Sequence, residues 1–429
     1  MVFSKFNHIT KIPNTDQFLL FNFLTGGLLE LDSPTYKRIT DLEGLSNQEI
    51  EILTENGFIV NHLDEIDYLR FGNKLVCADE ELLSVLIAPT LACNFNCPYC
   101  FEHHGKERMT TEVQNEIIKF IENSLKTKRH KHLFVYWFGG EPLLCTDIIL
   151  SMSKQIIDLV EKYNVSYSSA MSTNGYYLTE EVLKTLEQCR LSRIQITIDG
   201  LKEIHDKTRF LVNGEGTFDV IVSNLYKLHT NITIQIRSNL SKNNIDEFQK
   251  LNLLIQDIKR KTSSDISLYG AHMSTYEFNN ENVDALELSM KEYSDILKNN
   301  KLLGSTRMNQ SKFAFCDAAK VYSFCFDEKG NMYKCWNDIG STEFSYDNVF
   351  SANQKGVNFV NKNALEYLAH SFPEECISCK VLPLCFGGCI KKRVVEKKKT
   401  CSPIKYNIDD YIIKKYNMAQ GGDYNESGN

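Results

Sequence analysis

The chain has 429 residues, more than one ordinary hydrophobic core accommodates, so two or three domains are expected. Its 42% apolar and 24% charged residues fit a soluble globular protein, and a net charge of −7 excludes general attraction to nucleic acid or anionic membrane. No apolar run approaches the ~18 residues of a membrane helix, and the opening Met-Val-Phe-Ser-Lys-Phe has neither the basic start nor the apolar core of a secretion signal. Fourteen cysteines in such a chain point to metal ligation in a reducing, anaerobic cytoplasm rather than to disulfides.

Residues 1–77 read as three strands followed by helices. Lys5–Ile12 ends at the turn Pro13-Asn14, and Gln17–Leu24 and Leu28–Leu31 flank Thr25-Gly26-Gly27 as a hairpin. Ser33 suits an N-cap with Pro34 at the first helical position. Ser46-Asn-Gln-Glu49 has the form of a capping box, and Gly57 closes that helix. This order resembles the small winged-helix domain called a RiPP recognition element, which binds the leader of a ribosomally made precursor peptide as an added strand. A structural cap on the next domain accounts for the same pattern. A DNA-binding winged helix would need a basic recognition helix, which 1–77 lacks.

Over residues 78–300 strand and helix patterns alternate. The expected strands are Ser84–Thr90, His132–Phe138, Val165–Ser172, Arg193–Ile198, Ile232–Ser238 and Ile266–Tyr269. Amphipathic segments between them include Val113–Leu125, Thr146–Tyr163 and Ala285–Lys298. Six alternating strands imply an α/β fold with a parallel sheet, whose ligands sit at the carboxyl ends of the strands.

Cys93, Cys97 and Cys100 follow the first of these strands with the spacing Cys-x3-Cys-x2-Cys. Three thiolates on one loop leave one iron of a four-iron cubane open to another ligand. Zinc held with His103 or His104 is the alternative, although this is not the usual zinc spacing. Gly139-Gly140-Glu141-Pro142 follows the second strand, where carbonyls and the Glu141 carboxylate can accept hydrogen bonds from an ammonium group. Ser172-Thr-Asn174-Gly ends the third strand, and Asn174 can equally form an Asx turn. Thr197-Ile-Asp-Gly ends the fourth, followed by His205-Asp-Lys-Thr-Arg209, and Arg237 lies on the fifth. Together these motifs resemble the radical S-adenosylmethionine (SAM) superfamily. The resemblance implies a partial (β/α)6 barrel and reductive cleavage of SAM to a 5′-deoxyadenosyl radical. It also implies that Gly139–Pro142 hold the SAM amino group, that Arg209 pairs with its carboxylate and Thr197 contacts it, and that Tyr99 lies beside the adenine. Ser172, Asn174 and Arg237 complete the expected cofactor contacts, with a structural salt bridge as the equal alternative for Arg237.

Residues 301–415 are rich in cysteine: Cys316-x13-Gly330-x4-Cys335, then Cys376-x2-Cys379-x5-Cys385-x3-Cys389, then Cys401. Asp327–Tyr333 reads as a hairpin placing Cys335. The arrangement resembles the SPASM domain, which carries two auxiliary 4Fe-4S clusters, for three in all. By that resemblance Cys316, Cys335 and Cys389 ligate the first, and Cys376, Cys379, Cys385 and Cys401 the second. Cys325 either completes the first or is a buried thiol. Cys77, Cys145 and Cys189 match nothing and are expected as buried thiols. The basic run from Lys391 to Lys399 is expected as a solvated helix face, with a docking patch for an acidic peptide as second choice. Residues 416–429 are expected as a disordered tail.

SPASM-bearing radical SAM enzymes mostly modify peptides, so the resemblance implies a cytoplasmic peptide maturase. A precursor peptide with a leader is the expected substrate, and a flavodoxin- or ferredoxin-type protein the electron donor, with no nucleic acid or membrane partner. Thioether formation is slightly favoured over a carbon–carbon (cyclophane-type) crosslink. Anaerobic sulfatase-maturating enzymes, which make formylglycine, carry an acid directly after the glycine-linked cysteine. This chain has Trp336 there, with Asp338 two further on, and about ninety residues before its first cluster cysteine. Outside this class stand an iron–sulfur electron carrier and a zinc-stabilised adaptor.

Overall fold

The computed structural model describes residues 1–61, 64–102, 104–273, 288–300 and 316–421. By packing, the chain divides into two units: Met1–Cys77 with Ser289–Cys316 and His370–Asn429, and Ala78–Leu288 with Asp317–Ala369. The cysteine-rich segment expected as one domain is thus divided between them.

In the first unit, β1 (Val2–Phe3) pairs antiparallel with β5 (Ile59–Val60), and β2 (Asn7–Lys11), β3 (Phe18–Asn22) and β4 (Leu28–Leu31) form an antiparallel sheet with β3 in the middle. The first helix is capped by Asp32 rather than Ser33: the Asp32 carboxylate accepts the Thr35 N–H at 2.8 Å, which moves Pro34 to the second helical position. The capping box is formed as expected, Ser46 Oγ accepting from Glu49 N–H and the Glu49 side chain from Ser46 N–H. Arg38 adds a 2.7 Å bond to Glu49 and, as the chief cause, holds its carboxyl down at about 2. Because that value is depressed, the stabilisation is complete above the ordinary 4.5 and is lost as pH falls towards 2. A carboxyl NMR titration checks this: Arg38→Met should return Glu49 towards its ordinary value.

Two features of this unit correct the sequence reading. The tail is helical over Ile408–Ala419, so 416–419 are ordered, while 422–429 lie outside the described residues. That helix packs on β2 and β3, with Tyr411 against Phe21 and Phe23 and Asp409 bonded to His8 at 2.7 Å. The basic run is not a solvated face throughout, since Lys391 and Lys392 are buried in the short helix Ile390–Val394.

The second unit is built on a nine-stranded sheet. Its first six strands are β6 (Leu82–Ile87), β7 (His132–Trp137), β8 (Ser166–Thr173), β9 (Leu191–Thr197), β10 (Thr233–Leu240) and β11 (Ile266–His272). All six are parallel and neighbours in chain order, as the alternation predicts. The expected hairpin is β12 (Ser323–Phe326) and β13 (Asn331–Tyr333). With β14 (Asp347–Asn348) it extends the sheet beyond β6, so that β12 runs parallel to β6. Along β7 burial alternates: Leu133, Val135 and Trp137 enter the core, while His132, Phe134 and Tyr136 face the other way. Core partners come from the flanking helices, among them Ile117 and Ile121 of Thr111–Lys126 and Met152 and Ile156 of Thr146–Tyr163. The helix expected over Ala285–Lys298 is seen as Met290–Asn299, grouped with the first unit; 285–287 lie outside the described residues. Among the described residues no helix is long and apolar enough to cross a membrane.

Candidate functional site

The carboxyl ends of β6 to β10 surround a cavity of about 310 Å³ in the second unit. Cys93, Cys97 and Cys100 line it, together with Tyr99, Gly139, Gly140, Ser172, Asn174, Thr197, Arg209 and Arg237. The cysteine loop is clasped on two sides. Gly140 N–H donates to Thr90 O at 3.2 Å and Glu141 N–H to Ala92 O at 2.8 Å. On the other side Asn96 N–H donates to Phe210 O and Val212 N–H to Asn94 O. The paired glycines permit the first clasp: a Cβ on Gly139 or Gly140 would overlap the carbonyl oxygens of Thr90 or Ala92, and Gly139 has φ +112°.

Glu141 and Pro142 do not line the cavity, contrary to expectation. Glu141 is fully buried behind the wall, and its carboxylate accepts from Thr173 Oγ1 (2.7 Å), Asn174 N–H (2.7 Å) and Leu143 N–H (2.9 Å). Burial raises its pKa against the pull of those bonds. It therefore ties the glycine turn to the end of β8. Asn174 forms the Asx turn foreseen as its alternative role, its Oδ1 accepting from Tyr176 N–H, while its amide donates to Asn94 Oδ1 at 2.8 Å.

Tyr99 and Arg209 belong to a buried network. The Tyr99 hydroxyl donates to Asp199 and accepts from Arg209 Nη1 at 2.8 Å, and Asp199 Oδ1 accepts from Asn239 N–H. Arg209 lies over the Phe95 ring at 5.6 Å, leaving its Nε without a partner. Arg237 donates from Nε to Asn239 Oδ1 at 2.9 Å. Ser172 Oγ is shared by Tyr136 (2.7 Å) and Gln195 (3.0 Å).

The three thiols fit an iron–sulfur cluster in number and placement. Burial raises all three, Cys93 to about 12, so they are neutral without a cation to stabilise the thiolate. His104 also lines the cavity, with Nδ1 3.3 Å from Leu91 O, whereas His103 lies outside the described residues. Among the described residues no three His, Cys, Asp or Glu side chains are gathered around a single-ion site. Glu102 was missed in the sequence. It is buried, lines the cavity, has no partner for Oε2 among the described residues, and is raised to about 8 by burial and then by Glu141. The aromatic side of the cavity, Phe101, Tyr136, Phe138 and Trp336, was missed as well.

In the first unit Cys376, Cys379, Cys385 and Cys401 line one cavity of about 220 Å³. Of the other auxiliary cysteines, Cys316 and Cys389 belong to the first unit and Cys325 and Cys335 to the second. Cys145 and Cys189 are buried, but Cys77 is only partly so.

Residues 87–254 match the family model of the radical SAM superfamily. Two relatives match over most of their length. A cysteine-type anaerobic sulfatase-maturating enzyme of Clostridium novyi is 26% identical over 352 residues, covering 72% of this chain and 88% of the relative. The radical SAM cyclopropyl synthase TigE of Paramaledivibacter caminithermalis is 24% identical over 457 residues, covering 93% and 91%. Two solved structures share the fold. Native anSMEcpe with bound AdoMet has a TM-score of 0.59 at 21% identity, covering 79% of this chain and 98% of that one. SuiB of Streptococcus suis has a TM-score of 0.51 at 14% identity, covering 94% and 98%. The superfamily uses SAM and a 4Fe-4S cluster. With the three-cysteine loop clasped to the glycine turn at the strand ends, residues 87–254 of this chain are a radical SAM domain.

Proposed function

We propose that this protein is a cytoplasmic peptide maturase that removes hydrogen from a ribosomally made precursor and closes a crosslink within it. The observation that carries this reading is the meeting of Cys93, Cys97 and Cys100 with Gly139, Gly140, Ser172, Asn174 and Thr197 around one cavity. When bound there, SAM and a cluster supply a hydrogen-abstracting radical. The residues around it do the positioning. Gly139 and Gly140 offer backbone to the SAM ammonium, Arg209 Nε and Arg237 offer donors to its carboxylate, and Tyr99 anchors the cysteine loop through Asp199. The match to TigE over 93% of the chain supports, by its name, a carbon–carbon bond ahead of the thioether favoured by sequence.

The resemblance of the cysteine spacing to the SPASM domain implies two auxiliary clusters, and the four thiols around one cavity in the first unit support the second of them. A flavodoxin- or ferredoxin-type protein would supply electrons. The outer strands β2 and β4 of the N-terminal sheet suit a leader peptide added as a strand.

Formylglycine formation is the second reading, favoured by the sulfatase-maturating relative. Against it, Asp338 is fully buried and accepts from the Tyr367 hydroxyl at 2.6 Å, while Trp336 and Asn337 line the cavity. Co-expression with a short precursor peptide, followed by mass spectrometry, separates the two. The expected product has lost two hydrogens per crosslink and kept its sulfur. Loss of cysteine sulfur, or a loss of two hydrogens that leaves an aldehyde trapped by a hydrazine probe, would establish formylglycine chemistry, and an unmodified peptide would count against both.

A further inference from the structure

Part of the cavity lining is built of rings. Phe138 stacks on Trp336 (centroids 6.0 Å apart, planes 15°) and on Phe101 (6.5 Å, 18°), and Tyr136 tilts against Phe138 and Trp336, each at 6.3 Å. All four residues line the cavity. The Trp336 indole ends the stack and is 48% exposed, far more than large aromatic side chains usually are. Its neighbour Tyr136 is not free to swing over it, because a hydrogen-bonded ladder across the sheet pins the ring by its hydroxyl. Tyr136 Oη lies 2.7 Å from Ser172 Oγ, Gln195 Nε2 donates to that Oγ at 3.0 Å, and the Tyr269 hydroxyl donates to Gln195 Oε1 at 2.6 Å. A flat apolar face is thus held open to the cavity.

We propose that Phe101, Phe138 and Trp336, with Tyr136 pinned beside them, form a subsite for an aromatic side chain of the peptide substrate. The proposal rests on the peptide reading above and names a residue class that the peptide carries beside its reacting residue. A ring laid on the indole continues the stack at its own near-parallel angle and covers apolar surface as well. An aliphatic side chain gains the burial alone. Because the wall is set before the peptide arrives, little ordering is lost on binding. Position favours the peptide over the cofactor's adenine as the occupant. Tyr99, expected beside the adenine, is tied to Asp199 and Arg209, which follow β9. Tyr136 is on β7, Phe138 follows it and Trp336 follows β13, so in sheet order β8 separates these rings from that network.

The test is calorimetric titration of the cluster-loaded, SAM-saturated enzyme with two capped tripeptides, acetyl-Gly-Phe-Gly-amide and its leucine counterpart. The two side chains gain about equally from burial, so the ratio of their affinities reads the stacking. The phenylalanine peptide should bind at least about threefold more tightly. Trp336→Leu should bring the ratio to about one, whereas Trp336→Phe, which keeps a ring at the end of the stack, should preserve the preference. Equal affinities, no heat from either peptide, or a preference that survives Trp336→Leu would overturn the subsite. So would a Trp336→Leu enzyme that has lost affinity for SAM, because the rings would then serve the adenine. Phenylalanine selectivity in an enzyme that releases no 5′-deoxyadenosine on reduction would keep the subsite and sink the maturase reading instead.

Discussion

Replacing Cys93, Cys97 and Cys100 together by alanine is expected to abolish release of 5′-deoxyadenosine from SAM and, with the two proposed auxiliary clusters retained, to lower bound iron by about a third. The loss should be complete rather than partial, because the cavity offers three thiols from one loop and the open iron exists only if all three are bound. The loop itself should survive. Its clasps are backbone bonds to Phe210, Asn94, Thr90 and Ala92, none of which uses a thiol. The cysteines of the first unit are untouched, so the brown colour of auxiliary clusters should persist. Iron analysis and chromatography of the reduced reaction mixture check this, and undiminished 5′-deoxyadenosine would end the assignment of the loop.

Glu141→Ala is the second large effect, and it should act through stability before chemistry. The substitution strands three buried donors at once, Thr173 Oγ1, Asn174 N–H and Leu143 N–H. Each unsatisfied buried group costs about 1–3 kcal/mol; removing one side of a buried charged network costs roughly 3–5 kcal/mol in all. Glu141→Gln should be milder, since its amide oxygen still accepts from one or two of the donors. Because the glycine turn is tied to β8 through this carboxylate, the alanine variant should also load its radical cluster poorly. Denaturant unfolding with an iron assay measures both losses. A fully stable Glu141→Ala protein that fails only in SAM binding would return the carboxylate to the cofactor.

These two sites show what was and was not legible in the sequence. The six parallel strands were visible because their inward residues are β-branched and apolar and their helices amphipathic. The cysteine spacing was visible because ligand geometry is local. The structural role of Glu141 was not legible because its partners come from its own turn and from the end of β8, about thirty residues away, and no spacing encodes them. Tyr99 and Arg209 look like cofactor residues by position, yet Asp199 draws both into one network, a tertiary fact. Asp32 and Ser33 are both competent caps, and only the backbone at Asp32 (φ −79°, ψ 166°) decides between them. Glu102 stands directly after Cys100-Phe101, and an acid beside an expected buried cluster is the signal that could have found it.

The helix Ile408–Ala419 lies on the sheet made by the first strands of the chain, its Tyr411 covering Phe21 and Phe23. During synthesis those strands therefore emerge long before their cover does, and their aromatic face stays wet until Ile408–Ala419 has been made. An excised 1–77 fragment would remain in that condition permanently and tend to self-associate. The proposed leader-reading part of this protein is consequently no detachable cassette: grafting it onto another enzyme would require carrying Ile408–Ala419 along with it.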